Sequence, residues 1–203
     1  MKEVKDYGNS ANSKRLKILG KDEIRNIFEL PQFTHDERLL YFSLTEAEKE
    51  FLEQSRSFSA QVYFILQAGY FKARQMFFNF EFEAVREDVE YVLQSFFPGQ
   101  NLNAAQPVAK NTRHKQQQFI LNLSRFQLCG KNQRQLVKDK ARKFAKISVK
   151  PIYIFREIVS FLQTENIILP GYSLLQDIIG QAINFEQTRL TNLLEKKLNL
   201  RRY

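Results

Sequence analysis

The chain has 203 residues, with 31 Lys and Arg against 22 Asp and Glu, and a formal net charge of +9. Hydrophobic content of 43% excludes general disorder, while 26% charged residues and a mean hydropathy of -0.42 exclude an integral membrane protein. Nineteen Phe, no Trp and seven Gly point to an all-α chain with a Phe-rich core, since a barrel or sandwich needs more turn residues.

Residues 1–20 lack periodicity and read as a flexible arm with no apolar run behind its basic residues, hence no secretory signal. Asp22–Glu29 is compatible with a short helix closed by Leu30–Pro31. Phe33–Tyr41 is compatible with a second, with Thr34 as N-cap and Leu39 and Leu40 facing inward. Thr45-x-x-Glu48 is a capping-box pattern ahead of Phe51 and Leu52. Ser59 precedes Val62, Phe64, Ile65, Ala68 and Phe71, a helix buried on more than half its circumference. Phe78, Phe80 and Phe82 alternate with polar residues; a short strand fits, and a loop leading into a helix is the preferred reading. Val85, Val89, Val92 and Leu93 mark that helix, which ends at Pro98–Gly99.

Gln100–Val108 is small and polar, the best linker in the chain. Beyond it, Thr112 is the expected cap of a helix through Leu123, with Phe119, Ile120 and Leu123 apolar. Gly130 opens a turn, and Asn132 is the expected cap of a helix to about Ile147. That helix has an inner face of Leu136, Val137, Ala141, Phe144 and Ala145. Pro151 suits the first turn of a helix reaching Phe161 or beyond. After Pro170–Gly171, Ser173 is the expected cap of a long helix carrying leucines to Leu198. The expected architecture is two small helical lobes. A flexible arm spans 1–20, an acidic N-terminal lobe 21–100, a linker 101–111 and a basic lobe 112–203, the last with a helix-turn-helix-like element around Gly130.

Charge follows that division. Residues 101–150 hold 12 Lys and Arg against the single acid Asp139, whereas residues 21–100 hold 8 bases and 14 acids. A basic block that also carries core residues at helical spacing faces a polyanion, of which nucleic acid is the commonest. Arg134, Lys138, Arg142 and Lys146 fall at i, i+4 steps, so each stands about 40° and about 6 Å from the last, close to the phosphate spacing along one strand. Without a partner, like charges so placed repel. Lys131 shares the face, and Arg113, Lys115 and Arg125 extend the patch. Asn132, Gln133 and Gln135 beside Arg134 have the donor and acceptor sets that read base edges.

Catalytic readings are weaker. Glu81, Glu83, Glu87, Asp88 and Glu90 invite a two-metal site, but they spread around one segment and suit a solvated helix N-terminus. One cysteine, Cys129, excludes an internal disulfide and suits a reducing compartment, and as a core residue it lacks the partner of a nucleophile. His35 and His114 stand apart without a ligand cluster. The expectation is a non-enzyme with no cofactor and no metal.

Leu30–Phe42 (LPQFTHDERLLYF) followed by Ser43–Leu52 (SLTEAEKEFL) resembles the opening of the N-terminal domain of Tn-three-type replicative transposases. The aromatic helix Val62–Phe71, the Thr112–His114 segment and the run Ile154–Ile179 around Leu169–Pro170 resemble later parts of that domain in order. The resemblance spans roughly residues 20–200. It implies a cytoplasmic, nucleoid-associated protein that binds double-stranded DNA at the terminal inverted repeats of a transposon. The family's cleavage chemistry lies in a later RNase-H-like domain, for which no room is expected before Tyr203. Two alternatives stand beside it. One is an interaction or regulatory module, pairing as a homo-dimer or with full-length transposase through the leucines of the last helix. The other is RNA binding by the same basic face.

Overall fold

The structure is a computed structural model and describes residues 15–55, 57–101 and 107–199. Most of the expected arm, residues 1–14, and the middle of the expected linker, residues 102–106, lie outside the described residues.

The chain is all-α. In α1 (Lys21–Phe28) the Glu23 carboxylate accepts from the Gly20 N–H at 2.8 Å. Full capping boxes start α2 (His35–Tyr41) at Thr34 and α3 (Glu46–Glu53) at Thr45. Helix α4 (Phe58–Arg74) is capped by Ser57, two residues ahead of the Ser59 that precedes the run seen in the sequence, and is stopped by Gln75 in the left-handed region at φ 52°. Phe78 and Phe80 are buried on either side of exposed Asn79, and their period of two belongs to a loop, as preferred. A 3-10 turn (Phe82–Val85) then feeds α5 (Arg86–Phe96).

Helix α6 (Lys110–Ser124) starts two residues before Thr112, because the Arg113 N–H already donates to the Ala109 carbonyl at 3.0 Å. Likewise α7 (Lys131–Ile147) starts at the Gly130 turn, where the Arg134 N–H donates to the Gly130 carbonyl at 2.9 Å; Asn132 sits inside the first turn and caps nothing. Pro151 opens α8 (Pro151–Thr164) as expected, and α9 (Tyr172–Asn199) begins one residue ahead of Ser173.

Burial is organised by α4 on one side and by α7, α8 and α9 on the other. Val62, Ile65, Leu66 and Tyr70 of α4 pack with Phe33, Phe42, Phe78, Phe80, Val89 and Val92. The opposite side of α4, through Phe64, Ala68 and Phe71, packs on Ile120 and Leu121 of α6. Val137, Ala141 and Ala145 of α7 pack with Ile154 and Ile158 of α8 and with Leu175, Ile179 and Ile183 of α9.

Contacts cross the expected division at 101–111 in both directions. α6 follows it in sequence yet packs on α4, and Leu19, Ile24, Ile27 and Phe28 precede it yet pack on the C-terminal cluster. The Tyr172 hydroxyl accepts from the backbone N–H groups of Ile18 and Leu19, and the Gln176 side-chain amide donates to the Leu16 carbonyl.

Four apolar placements differ from the periodic reading. Leu39 and Leu40 are 54% and 63% exposed, because short α2 turns Arg38, Tyr41 and Phe42 inward instead. Leu123 and Leu136 are each 43% exposed, Leu123 in the last turn of α6 and Leu136 on the side of α7 away from Val137, Ala141 and Ala145.

Candidate nucleic-acid interface

Helix α7 is held along one line, Val137–Ala141–Ala145, and small alanines at two of those positions let α8 and α9 approach closely. At about 100° per residue, Lys131, Arg134, Lys138, Arg142 and Lys146 fill a sector of about 120°. The ridge from Arg134 to Lys146 runs alongside the buried line, about 60° round the helix from it, because both advance by about 40° at each i, i+4 step. Lys131, Arg134, Arg142 and Lys146 are exposed, and Lys138 is half-buried.

Among the described residues, no carboxylate oxygen stands within 4.0 Å of any of the five. Among the described residues, the cations that do form ion pairs are Arg15, Arg25, Arg38, Lys49, Lys72, Arg86 and Arg189, all outside residues 101–150. Among the described residues, the ion-paired acids of the first half neutralise their own neighbours, and none pairs with α7.

Weaker contacts orient the stripe. The Arg134 Nε donates to the Cys129 carbonyl at 3.0 Å, which leaves the rest of its guanidinium fork available. Arg142 lies over the half-exposed Phe185 ring of α9, 4.9 Å from its centroid. Buried Glu186 is held below the usual carboxylate range first by Arg189, which donates to it at 2.6 and 2.8 Å, with a smaller pull from Lys146. The Cys129 thiol is buried in the core, and that burial pushes it above the usual thiol range, away from a nucleophile.

The amides are less free than their positions suggest. The Gln133 amide donates to the Gln127 side chain at 2.8 Å, and the Gln135 amide donates to Asp139 at 3.1 Å; Asn132 is exposed. The flanking cations divide. Lys115 and Arg125 are exposed, Arg125 at the left-handed end of α6 with φ 59°. Arg113 lines a crevice with Tyr63, Phe80 and Phe82 on the α4 side, and so belongs to a different surface neighbourhood from α7.

The helix-turn-helix reading of α6 and α7 needs correction. The segment between them runs across to the α8–α9 connection, where the Gln127 N–H donates to the Asn166 carbonyl and the Ile168 N–H donates to the Gln127 carbonyl. α6 spends its apolar residues on α4, so the pair shares no common core. The helices joined by a tight turn and packed together are α7 and α8, linked by Ser148–Lys150. Sequence reasoning also passed over exposed Lys143 and Lys150. Lys143 lies off the i, i+4 ridge, and Lys150, though four residues after Lys146, lies beyond the end of α7 at Ile147.

The acidic segment is spent on arginines. Asp88 is buried and accepts from Arg38 Nε and the Tyr70 hydroxyl, both at 2.7 Å, while Glu87 accepts from the same Arg38 at 2.9 Å. Arg86 pairs with Glu83 and Glu90. Among the described residues no three His, Cys, Asp or Glu side chains converge as a metal site would require, and no helix is long and apolar enough to cross a membrane.

A family model described as a domain of unknown function, DUF4158, matches residues 18–182. No curated protein and no solved structure matches the chain.

Proposed function

The chain belongs to the DUF4158 family, and from that premise we propose that it is a non-catalytic protein that grips double-stranded DNA along α7. One observation carries this reading: five cations in one sector of a rigidly packed helix, with no carboxylate in salt-bridge range among the described residues. Lys131, Arg134, Lys138, Arg142 and Lys146 take phosphates, with Lys115 and Arg125 at the flank; exposed Asn132 is the amide best placed for a base edge. The resemblance to Tn-three-type transposases supports a narrower ligand, the terminal inverted repeats of a transposon, and a place on the nucleoid.

A gel-shift titration tests the face. If about six phosphates are neutralised, log K falls against log[salt] with a slope near −5. Reversing Arg134, Lys138 and Arg142 together to Glu abolishes duplex binding. Because Arg134 and Arg142 also make internal contacts, the variant's helicity and melting are measured beside wild type. A folded triple variant with unchanged affinity overturns the assignment. Competition between duplex DNA and structured RNA at one salt concentration decides between the two nucleic acids.

A second reading rests on α9. Its buried stripe, Leu175, Ile179 and Ile183, continues on the same face as Leu190, Leu193 and Leu194, which are 43%, 43% and 61% exposed. That uncovered continuation favours pairing with another helix, from a second copy or a larger transposase. Sedimentation of the full chain against a Leu190→Asp, Leu194→Asp variant tests it, with a loss of mass expected if the helices pair.

A further inference from the structure

A cleft of about 310 Å³ opens where α1, the end of α4 and α8 meet, at the small end of the range that takes a small molecule. Its walls are mainly apolar, with Ile27 from α1, Phe155 and Val159 from α8, and Leu169 on the way to α9. The polar groups at the cleft are the amides of Asn26, Gln75 and Gln163 and one cation, Arg74, in the last turn of α4. Among the described residues, no acid lines it.

Arg74 is partly buried there, and the chain gives it nothing to hold. Among the described residues, its guanidinium has no carboxylate within 4.0 Å and no hydrogen-bond acceptor, and its Nε is buried without a partner. Glu37 is an acid that senses it, yet Thr34 lowers that carboxyl first and Arg74 adds the smallest of the pulls. Arg38 shows the contrast, since its partly buried guanidinium meets both Asp88 and Glu87. Guanidinium donors drawn out of water without an acceptor carry a desolvation penalty. Attraction to the C-terminal dipole of α4 accounts for a cation at this end of the helix, but not for one that lines an apolar cleft.

We propose that this cleft binds a small organic acid, its carboxylate held by Arg74 and its apolar body laid along Ile27, Phe155 and Val159. Arg74 sets the sign of the ligand's charge, because its planar fork matches a carboxylate and no acid at the cleft competes for it. The walls set the rest, since a wholly polar anion would gain nothing from Phe155 and Val159.

The test titrates octanoate and its uncharged analogue octanamide into the full chain by calorimetry. Octanoate is expected to bind at one site and octanamide at least about tenfold more weakly. Octanoate is also expected to raise the melting temperature, as a ligand of the folded state does. Arg74→Gln is expected to stay folded, because it removes a cation with no partner, and to bring octanoate down to the level of the amide. Val159→Phe fills the cleft and is expected to block both; if that variant fails to fold, Arg74→Gln carries the test. No octanoate binding, or equal binding of the amide, overturns the proposal. Octanoate binding that survives Arg74→Gln also overturns it, by placing the acid on another surface such as the α7 ridge. A leucine tripeptide with a free C-terminus that binds more tightly than octanoate overturns the small acid in favour of a chain terminus. Duplex binding enters none of these measurements, so the site and the DNA reading stand or fall separately.

Discussion

Asp88 is the charge on which the N-terminal packing turns. It is 5% exposed, and Arg38, whose side chain is 17% exposed, donates to one of its oxygens and Tyr70 to the other. Burial first, and the neighbouring carboxylate second, push the Tyr70 hydroxyl far above the usual phenol range, so it remains a donor at any working pH. Removing Arg38 strands a buried charge, which costs about 3–5 kcal/mol, whereas Tyr70→Phe removes one bond and costs about 1–3 kcal/mol. Urea unfolding of Arg38→Ala and Tyr70→Phe checks that order; a larger loss in the tyrosine variant would contradict it. Glu37 supplies a pH signature of its own. Its carboxylate accepts from the Thr34 N–H and hydroxyl, which hold it below the ordinary value of 4.5. A lowered carboxyl stabilises the fold above its unfolded pKa, and that stability is lost as pH falls through the folded pKa. The melting temperature should therefore drop below about pH 4.5, and Glu37→Gln should flatten part of that drop.

At the scale of elements, Gly69 shows what a periodic pattern leaves out. It lies inside α4, where glycine costs about 1 kcal/mol relative to alanine. A Cβ there would strike the Phe42 ring and stand 3.2 Å from the Tyr41 carbonyl. Phe42 cannot yield, being 1% exposed and set against the rings of Phe33, Tyr70 and Tyr91. Overpacking of about 1–3 kcal/mol outweighs the helical gain, so Gly69→Ala should lower the urea midpoint. A raised midpoint would mean the α2–α4 contact is looser than its geometry. The same limit applies to reading elements generally. Thr34, Thr45 and Pro151 announce helix starts because their signals are local to the backbone they serve. Leu39, Leu123 and Leu136 mislead because apolar spacing names a face without naming what covers it. On α7 the cationic sector was legible for the same reason as the caps, since one helix's angular geometry places all five side chains. The commitment of Gln133 and Gln135 to neighbours was not legible, because it depends on where a side chain's rotamer meets a loop.

The whole molecule is stitched across the boundary that composition suggests. Charge changes sign near residue 101, and a polar stretch there reads as a hinge between lobes. Composition tracks surface, however, and the core follows a different partition. Leu19 is 3% exposed beneath α9, and α6 buries Ile120 and Leu121, both 5% exposed or less, on α4. Gln116 of α6 reinforces that seam, donating to the Ala60 carbonyl at 2.7 Å. A cut between Asn101 and Pro107 therefore leaves each piece without a wall of its core. The first loses the helix that covers Phe64, Ala68 and Phe71; the second loses the strap from Leu16 to Phe28 over α8 and α9. Residues 1–101 and 107–203, made separately, should show expanded hydrodynamic radii and weak near-ultraviolet dichroism, and should regain the compact form when mixed. Two pieces that each unfold cooperatively on their own would show instead that the acidic and basic halves are independent domains. DNA binding would then require only the second. If the stitching holds, the second piece should bind duplex weakly alone and recover affinity when the first is added, because the α8–α9 cradle behind α7 is completed from the far end of the chain.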